Sequence, residues 1–212
     1  MPAKRAFIAG IGGPSGSGKT TIARRLAASL GARVLSMESY YRDLSGIAPE
    51  ERARHNFDSP DALDVDLLAQ HVESFSQGND IQVPVYDFAR HTRVLDKTEL
   101  VRAGLVLIVE GILVLSWQEL RARFDVSFYL DAADEVCFQR RMVRDIVERQ
   151  RTHEFVRQQY RETVLPMAIQ HVYPTKARAD FVIDAAQDIL SVEQALLSRI
   201  QLQPRWPASI HA

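Results

Sequence analysis

The chain has 212 residues, of which 46% are hydrophobic and 25% charged, and its formal net charge is −1. This length suits one α/β domain with a full core and a small insertion. A near-neutral chain has no general attraction to nucleic acid or anionic membranes, so a basic site must be local. The single cysteine, Cys137, excludes an intramolecular disulfide and a zinc site built on cysteines. The first apolar run ends at glycines too early for a signal peptide, and no later run reaches membrane-spanning length. We therefore expect a cytoplasmic protein.

Short apolar runs recur along the chain, and most are followed by a helical pattern. The runs occupy residues 6–11, 32–37, 105–109, 126–132 and 179–184. Continuous apolar strands that alternate with helices predict an α/β fold with a five-stranded parallel sheet and helices on both faces. We expect a single domain over residues 1–202. The tail, residues 203–212, contains Pro204 and Pro207 and is expected to be flexible.

Residues 43–104 break this alternation. A Ser-Pro pair at 59–60 predicts a turn before a helix that begins near Asp64. Prolines and alternating polarity over residues 80–97 predict a small β-hairpin insertion instead of a central strand. We place this insertion at the rim of the sheet.

The segment "GPSGSGKT", Gly13–Thr20, fits the G-x-x-x-x-G-K-[ST] phosphate loop and lies between a predicted strand and a predicted helix. Its backbone N–H groups would hold nucleotide phosphates, Lys19 would reach the β- and γ-phosphates, and the Thr20 hydroxyl would bind Mg²⁺. The expected nucleotide-binding residues are Gly13, Ser15, Gly16, Ser17, Gly18, Lys19, Thr20 and Thr21. A glycine-rich turn that matches by chance is the alternative. The loop alone does not separate motor, switch, ATPase and kinase, although the N-K-x-D motif of GTPase switches is missing from the sequence.

Two acids follow predicted strands. Glu110 ends the apolar run "LVLIV", and Glu38 follows "VLSM". Ligands of open α/β sheets lie at the carboxyl ends of the strands, so both acids are candidates for a site. The alternative is that each is a charged residue where the chain reaches the surface.

An arginine-rich helix is predicted over residues 134–150. Helical spacing places Val136, Val143, Ile146 and Val147 on one face, which we expect to face the core. Between positions 140 and 151 the sequence has five arginines but only two acids, Asp145 and Glu148. A solvated charged helix is the alternative. Paired with the phosphate loop, this positive excess favours a kinase lid over the developing phosphate charge.

Several motifs occur in order along the chain, including "SMESYYRDL", "NFDSPDALD", "PVYDFARHTR", "VEGILVL" and "RRMVRDIVERQR". Together with the phosphate loop, they resemble the uridine kinase (uridine–cytidine kinase) family of phosphate-loop kinases. The resemblance runs from about Phe7 to about Ile183. It implies Mg²⁺-dependent transfer of the γ-phosphate of ATP or GTP to the 5′-hydroxyl of uridine or cytidine. It also implies a small-molecule nucleoside partner and a homo-tetramer, with no role for nucleic acid or a membrane.

The resemblance implies a role for each matching residue. Glu38 would accept the hydroxyl proton and help Glu110 and Thr20 to hold the metal, while Lys19, Arg144 and Arg149 would face the phosphates, the two arginines from a lid over residues 140–160. The residues expected around ribose and pyrimidine are Tyr41, Asp58, Tyr86, Phe88, His91, Arg141, Arg151 and Gln159.

The chemistry of three of these residues agrees with such a site. Asp58 can accept hydrogen bonds from paired ribose hydroxyls. Tyr86 and Phe88 alternate along a predicted strand and could stack a base, although a hairpin that packs its apolar face on the domain is the alternative.

The chain departs from the family at two places. The family usually has Asp where this chain has Glu38, and "FVIDAAQDIL" replaces a Pro-Arg-Gly-Gly type turn near the adenine. The Glu38 change keeps open a weakened nucleotide-binding regulator. A phosphoribulokinase-like or pantothenate-kinase-like enzyme is a further alternative.

Overall fold

Parallel strand pairing organises the structure, a computed structural model that describes residues 5–52, 55–207 and 210. Within these residues, five strands form a parallel sheet in the order β2-β5-β1-β6-β7, and β3 pairs with β4 as an antiparallel hairpin. The strands are β1 (Phe7–Gly12), β2 (Arg33–Ser36), β3 (Ile81–Asp87), β4 (Thr92–Val101), β5 (Val106–Glu110), β6 (Val126–Asp131) and β7 (Phe181–Asp184). The sheet and the hairpin confirm the predicted fold class.

Helices connect the strands. The α-helices are α1 (Lys19–Leu30), α2 (Pro49–Arg52), α3 (Val65–Ser76), α4 (Gln118–Arg121), α5 (Asp134–Val147), α6 (His153–Gln159), α7 (Leu165–Met167) and α8 (Ile189–Gln201). A short 3-10 helix, Met37–Tyr40, follows β2. Helix α3 begins where the sequence predicts, because the Asp64 side chain accepts a hydrogen bond from the Leu67 N–H and so caps it.

The three central strands of the sheet, β5, β1 and β6, are buried on both faces, which explains why they are continuous apolar runs. In β1, Ile8 belongs to one core cluster while Phe7 and Ala9 belong to the other. The first cluster includes Leu68 and Val72 of α3. The second packs β1 against residues of α1 and α8, which are Ile22, Leu26, Leu196 and Ile200. The helices therefore cover both faces and leave the strand ends free for the loops that carry the site.

The face of helix α5 that is buried differs from the face that the sequence predicts. Val143 and Val147, expected to face the core, are 64% and 73% exposed, so that prediction is wrong. Val136 and Ile146, the other two members of the expected stripe, are partly buried. The buried residues of the helix are Cys137, Arg141, Met142 and Asp145. A buried arginine and a buried aspartate can share this face because their charges offset each other.

Part of the predicted tail packs on the domain. Trp206 is 9% exposed and meets Phe7 of β1 edge-to-face, with 5.2 Å between the ring centroids. The chain through Trp206 is therefore packed on the domain, while residues 208, 209, 211 and 212 lie outside the described part. No helix among the described residues is long and apolar enough to cross a membrane.

The packing of Trp206 predicts that Trp206→Ala lowers the free energy of unfolding by about 3 kcal/mol, because the substitution removes the large ring that packs on Phe7. Urea denaturation of both proteins measures the change. Leu202→Ala is the matched control, since Leu202 is 81% exposed and its truncation should change stability little. Equal effects of the two substitutions would contradict the packed tail.

Candidate active site

The phosphate loop joins β1 to α1 and depends on glycine. Gly13 and Gly16 have φ angles of 135° and 89°, which disfavour residues with a side chain. A Cβ atom on Gly16 would also collide with the carbonyl oxygen of Cys137. The loop can therefore wrap closely around a bound anion only with glycine at these positions.

Lys19 begins α1 and is buried beneath the loop. Its Nζ donates a hydrogen bond to the Pro14 carbonyl oxygen at 2.8 Å. Burial lowers the pKa of Lys19 to about 8, although the nearby carboxylates of Glu110 and Glu38 act to raise it. The Ser17 hydroxyl is also buried and has no hydrogen-bond partner among the described residues. The loop thus presents one desolvated cation, Lys19, and one unpaired hydroxyl, Ser17, as expected of a binding site for a polyanion.

Two carboxylates lie at the carboxyl edge of the sheet. Glu110 ends β5 and aligns with Ser36 of β2, which is followed two residues later by Glu38. Glu110 is buried, and its Oε1 accepts a hydrogen bond from Thr20 Oγ1 at 3.3 Å. Burial raises the pKa of Glu110, while the Lys19 charge opposes that shift. Both acids predicted from the sequence therefore lie next to the phosphate loop.

Thr20, Glu38 and Glu110 fit a magnesium site better than a site for a softer metal. They supply only oxygen donors, which Mg²⁺ prefers. Within the described residues, no group of three or more His, Cys, Asp or Glu side chains could hold a metal ion. A partial set of this kind suits Mg²⁺, which usually keeps several waters and binds substrate phosphates as well.

A cavity of about 790 Å³ lies beside the phosphate loop. All eight residues expected around ribose and pyrimidine line it: Tyr41, Asp58, Tyr86, Phe88, His91, Arg141, Arg151 and Gln159. Ser15, Glu38, Arg144 and Arg149 also line it. The remaining predicted residues belong to the phosphate loop or, like Glu110, contact it. The structure therefore brings all the sequence-predicted site residues into one region.

Aromatic rings form one wall of this cavity. The Tyr41 ring centroid lies 5.2 Å from those of Phe57 and Tyr86. Tyr86 is buried, while Phe88 is exposed and meets it edge-to-face. Phe57, to which the sequence analysis assigned no role, stacks on His91 with a centroid distance of 5.2 Å. Its position in "NFDSPDALD", directly before Asp58, was the available signal.

Two titratable side chains face the cavity from this side. Burial raises the pKa of Asp58, and the Arg141 guanidinium acts to lower it. Burial lowers the pKa of His91, and the Arg151 charge adds to the shift. Neutral His91 can donate from one ring nitrogen and accept at the other.

Arg93 and Thr92, at the start of β4, fasten the hairpin to the segment that follows β2. Arg93 donates hydrogen bonds to the carbonyl oxygens of Tyr41, at 2.8 Å, and Tyr40, at 3.4 Å. It also pairs with Asp64 at 3.2 Å. The Thr92 hydroxyl accepts a hydrogen bond from the Leu44 N–H at 3.1 Å. These contacts hold the aromatic wall in a fixed relation to Glu38.

The lid arginines contact side chains on different sides of the cavity, and one of them reaches the phosphate loop. Arg141 donates to the Ser15 hydroxyl at 2.8 Å and to Gln159 Oε1 at 3.0 Å. Arg151 donates to the same Gln159 oxygen at 3.1 Å. Arg149 lies 4.0 Å from Glu38 and over the Phe88 ring. These arginines gather around Asp145, which is not among the site residues predicted from the sequence.

A phosphate loop that faces paired carboxylates and an arginine lid defines the class as a phosphate-loop kinase. The family model described as "Phosphoribulokinase / Uridine kinase family" matches residues 8–190, and the chain therefore belongs to this family. The match confirms the family predicted from the motifs.

Named relatives agree with this assignment. A uridine kinase from Shewanella amazonensis is 39% identical over 208 residues, which cover 95% of this chain and 98% of that protein. A uridine kinase from Clostridium perfringens is 44% identical over 183 residues, or 85% of this chain and 88% of that protein. The solved structure of a D-glycerate 3-kinase from Cryptococcus neoformans superposes with a TM-score of 0.62 over 88% of each chain. At 16% identity, this last likeness supports the fold alone.

The lowered pKa of Lys19 predicts that affinity for ADP weakens above about pH 8, by up to tenfold per pH unit. Above that pH the free protein loses the lysine proton, while phosphate binding favours the protonated form. Isothermal titration between pH 7 and pH 9.5 measures the effect. Lys19→Met, which lacks this proton, should bind ADP more weakly and with no such slope. A flat profile in the unmodified protein would contradict the prediction.

Proposed function

We propose that the protein is a uridine–cytidine kinase that transfers the γ-phosphate of ATP or GTP to the nucleoside 5′-hydroxyl. The observation that carries the proposal is that one cavity joins a phosphate loop to an aromatic wall with a carboxylate, Glu38, beside both. Relatives named uridine kinase, at 38–44% identity over most of the chain, support the same reaction.

The acceptor end of the cavity suits a ribonucleoside. The rings of Tyr41, Phe57 and Tyr86 offer flat apolar surface for a pyrimidine. Asp58 can accept hydrogen bonds from two ribose hydroxyls, which would relieve the cost of its burial. His91 can donate or accept, so it tolerates both the amine of cytidine and the carbonyl of uridine.

The transfer step consists mainly of positioning and charge neutralisation. Glu38, partly exposed at the cavity, accepts the proton of the 5′-hydroxyl as the oxygen attacks the γ-phosphorus. The bond between the γ-phosphorus and the β,γ-bridging oxygen breaks, and the nucleoside diphosphate leaves. Lys19, Arg144 and Arg149 stabilise the negative charge that develops on the transferred group. Thr20, Glu38 and Glu110 would hold Mg²⁺, which supplies additional charge neutralisation at the phosphates when it is bound.

The aromatic wall distinguishes this proposal from kinases of a sugar phosphate or of pantothenate. Neither substrate has a flat ring for Tyr41, Phe57 and Tyr86 to contact. The proposal includes a cytoplasmic location, which rests on the pattern of apolar runs in the sequence, and a homo-tetramer, which rests on the family resemblance.

The substrate is tested with a panel of nucleosides, ribulose 5-phosphate and pantothenate, each incubated with the purified protein and Mg·ATP. We expect ADP release with uridine and cytidine. 2′-Deoxyuridine should react with a kcat/KM lower by about two orders of magnitude or more, because Asp58 would lose a hydroxyl partner. Lys19→Met serves as the inactive control. No turnover of any pyrimidine nucleoside would refute the proposal.

The role of Glu38 as base predicts that Glu38→Gln reduces kcat by at least about a hundredfold, because an amide cannot accept the proton. ADP affinity should stay within a few fold, since Lys19 and the loop amides remain. Glu119→Gln, an exposed acid in α4, is the matched control and should keep full turnover. Unchanged turnover in Glu38→Gln would remove Glu38 as the base.

A further inference from the structure

Asp145 lies in the interior of the lid and contacts four arginines. Its side chain is fully buried. Its Oδ1 accepts hydrogen bonds from Nε and Nη2 of Arg144 at 2.9 and 2.7 Å, and lies 3.6 Å from Arg149. Its Oδ2 lies 3.3 Å from Arg151 and 3.6 Å from Nε of Arg141. One carboxylate thus organises all the lid arginines to which the sequence analysis assigned a role.

The charges of this group do not balance. Four guanidinium groups surround Asp145, and Arg149 also lies 4.0 Å from Glu38, so two positive charges remain in excess. Burial acts to raise the pKa of Asp145, but the Arg141 and Arg144 charges outweigh it and keep the pKa below its usual range. An ionised Asp145 reduces the repulsion among the arginines without cancelling it, so the group retains an attraction for a polyanion such as a nucleotide triphosphate.

Three of the four arginines link Asp145 to other side chains of the site. Arg141 reaches Ser15 of the phosphate loop, and Arg149 lies 4.0 Å from Glu38. Arg151 reaches Gln159 on α6. Arg144 lines the cavity with no described partner besides Asp145. A shift of the Asp145 carboxylate would therefore move groups both at the phosphate loop and at the part of the cavity that would hold the nucleoside.

We propose that Asp145 is the positioning residue of the lid: it holds Arg144 and Arg149 in the arrangement that receives the transferred phosphate. This inference rests on the proposed function. Asp145 lies outside the lining of the cavity and acts through Arg144 and Arg149. When phosphates bind, the guanidinium groups that Asp145 positions contact both Asp145 and the phosphates.

A buried ion pair that serves stability alone is the competing explanation, and Asp145→Asn distinguishes the two. The amide keeps the shape of the side chain and removes its charge. Turnover is divided by the concentration of ADP-binding sites, so that unfolded protein is not counted. We expect the resulting kcat to fall about a hundredfold, because a displacement of about 1 Å in catalytic groups can produce such a loss. Glu135→Gln removes an exposed acid from the same helix and should retain full kcat. A kcat within threefold of the unmodified enzyme would overturn the proposal, whatever the melting temperature.

Asp145→Glu decides the matter if Asp145→Asn does not fold. It keeps the buried charge but displaces it by a methylene group, so a charge that serves stability alone should support normal turnover. We expect a loss in kcat of at least about tenfold. A Glu variant with full kcat would overturn the positioning role.

An acceptor-free measurement separates failure of this inference from failure of the proposed function. The affinities for ADP and for a non-hydrolysable ATP analogue are compared in the unmodified protein and in both Asp145 variants. We expect the unmodified protein to bind the analogue more tightly, and the variants to lose most of that preference because the arginines no longer meet the γ-phosphate together. Equal losses for both nucleotides, or none, would contradict the inference. Nucleoside turnover by the unmodified protein tests the proposed function alone.

Discussion

The parallel pairing of β5 between β1 and β2 fixes the geometry on which the site depends. In this register Glu110 lies beside Ile11 on one side and Ser36 on the other. The three strands therefore end at one edge of the sheet, from which the phosphate loop, Glu110 and the segment that carries Glu38 all emerge. A parallel sheet requires both faces to be covered, and the helices that cover it leave this edge to the loops. The core thus places the acids next to the phosphate loop before any substrate contact is made.

Burial also shifts the titration of charged groups in the candidate site. The pKa of Lys19 is lowered mainly by burial, while the pKa values of Glu110 and Asp58 are raised mainly by burial. Each of these groups is less favourably solvated in the folded protein than in water. Phosphates, a divalent cation and ribose hydroxyls are the partners that would relieve this cost. Polar groups left without full compensation in the fold thus indicate where ligands bind.

The sequence predicted what depends on local pattern. Continuous apolar runs located the five strands, and glycine spacing located the phosphate loop. The buried face of α5 could not be predicted from local pattern. Arg141 and Asp145 are buried as a pair, while the apolar Val143 and Val147 face outwards. Hydrophobic periodicity assigns no favourable energy to charges that compensate each other. The stacking of Phe57 on His91 likewise joins residues that are 34 positions apart, and no local pattern specifies such a contact.

Glu38 shows how the long-range contacts and the departure from the family are connected. Glutamate has one more rotatable bond than the aspartate usual in the family, so fixing its carboxylate costs more conformational entropy. Its nearby cationic partner in the lid is Arg149, at 4.0 Å, and Arg149 is in turn 3.6 Å from Asp145. The position of the proposed base therefore depends on a lid arginine, and that arginine depends on the buried carboxylate. In a chain with aspartate at this position the shorter side chain would not extend as far towards the lid. If Glu38 is the base, the longer side chain would bring proton acceptance under the influence of Arg149 and so of lid order.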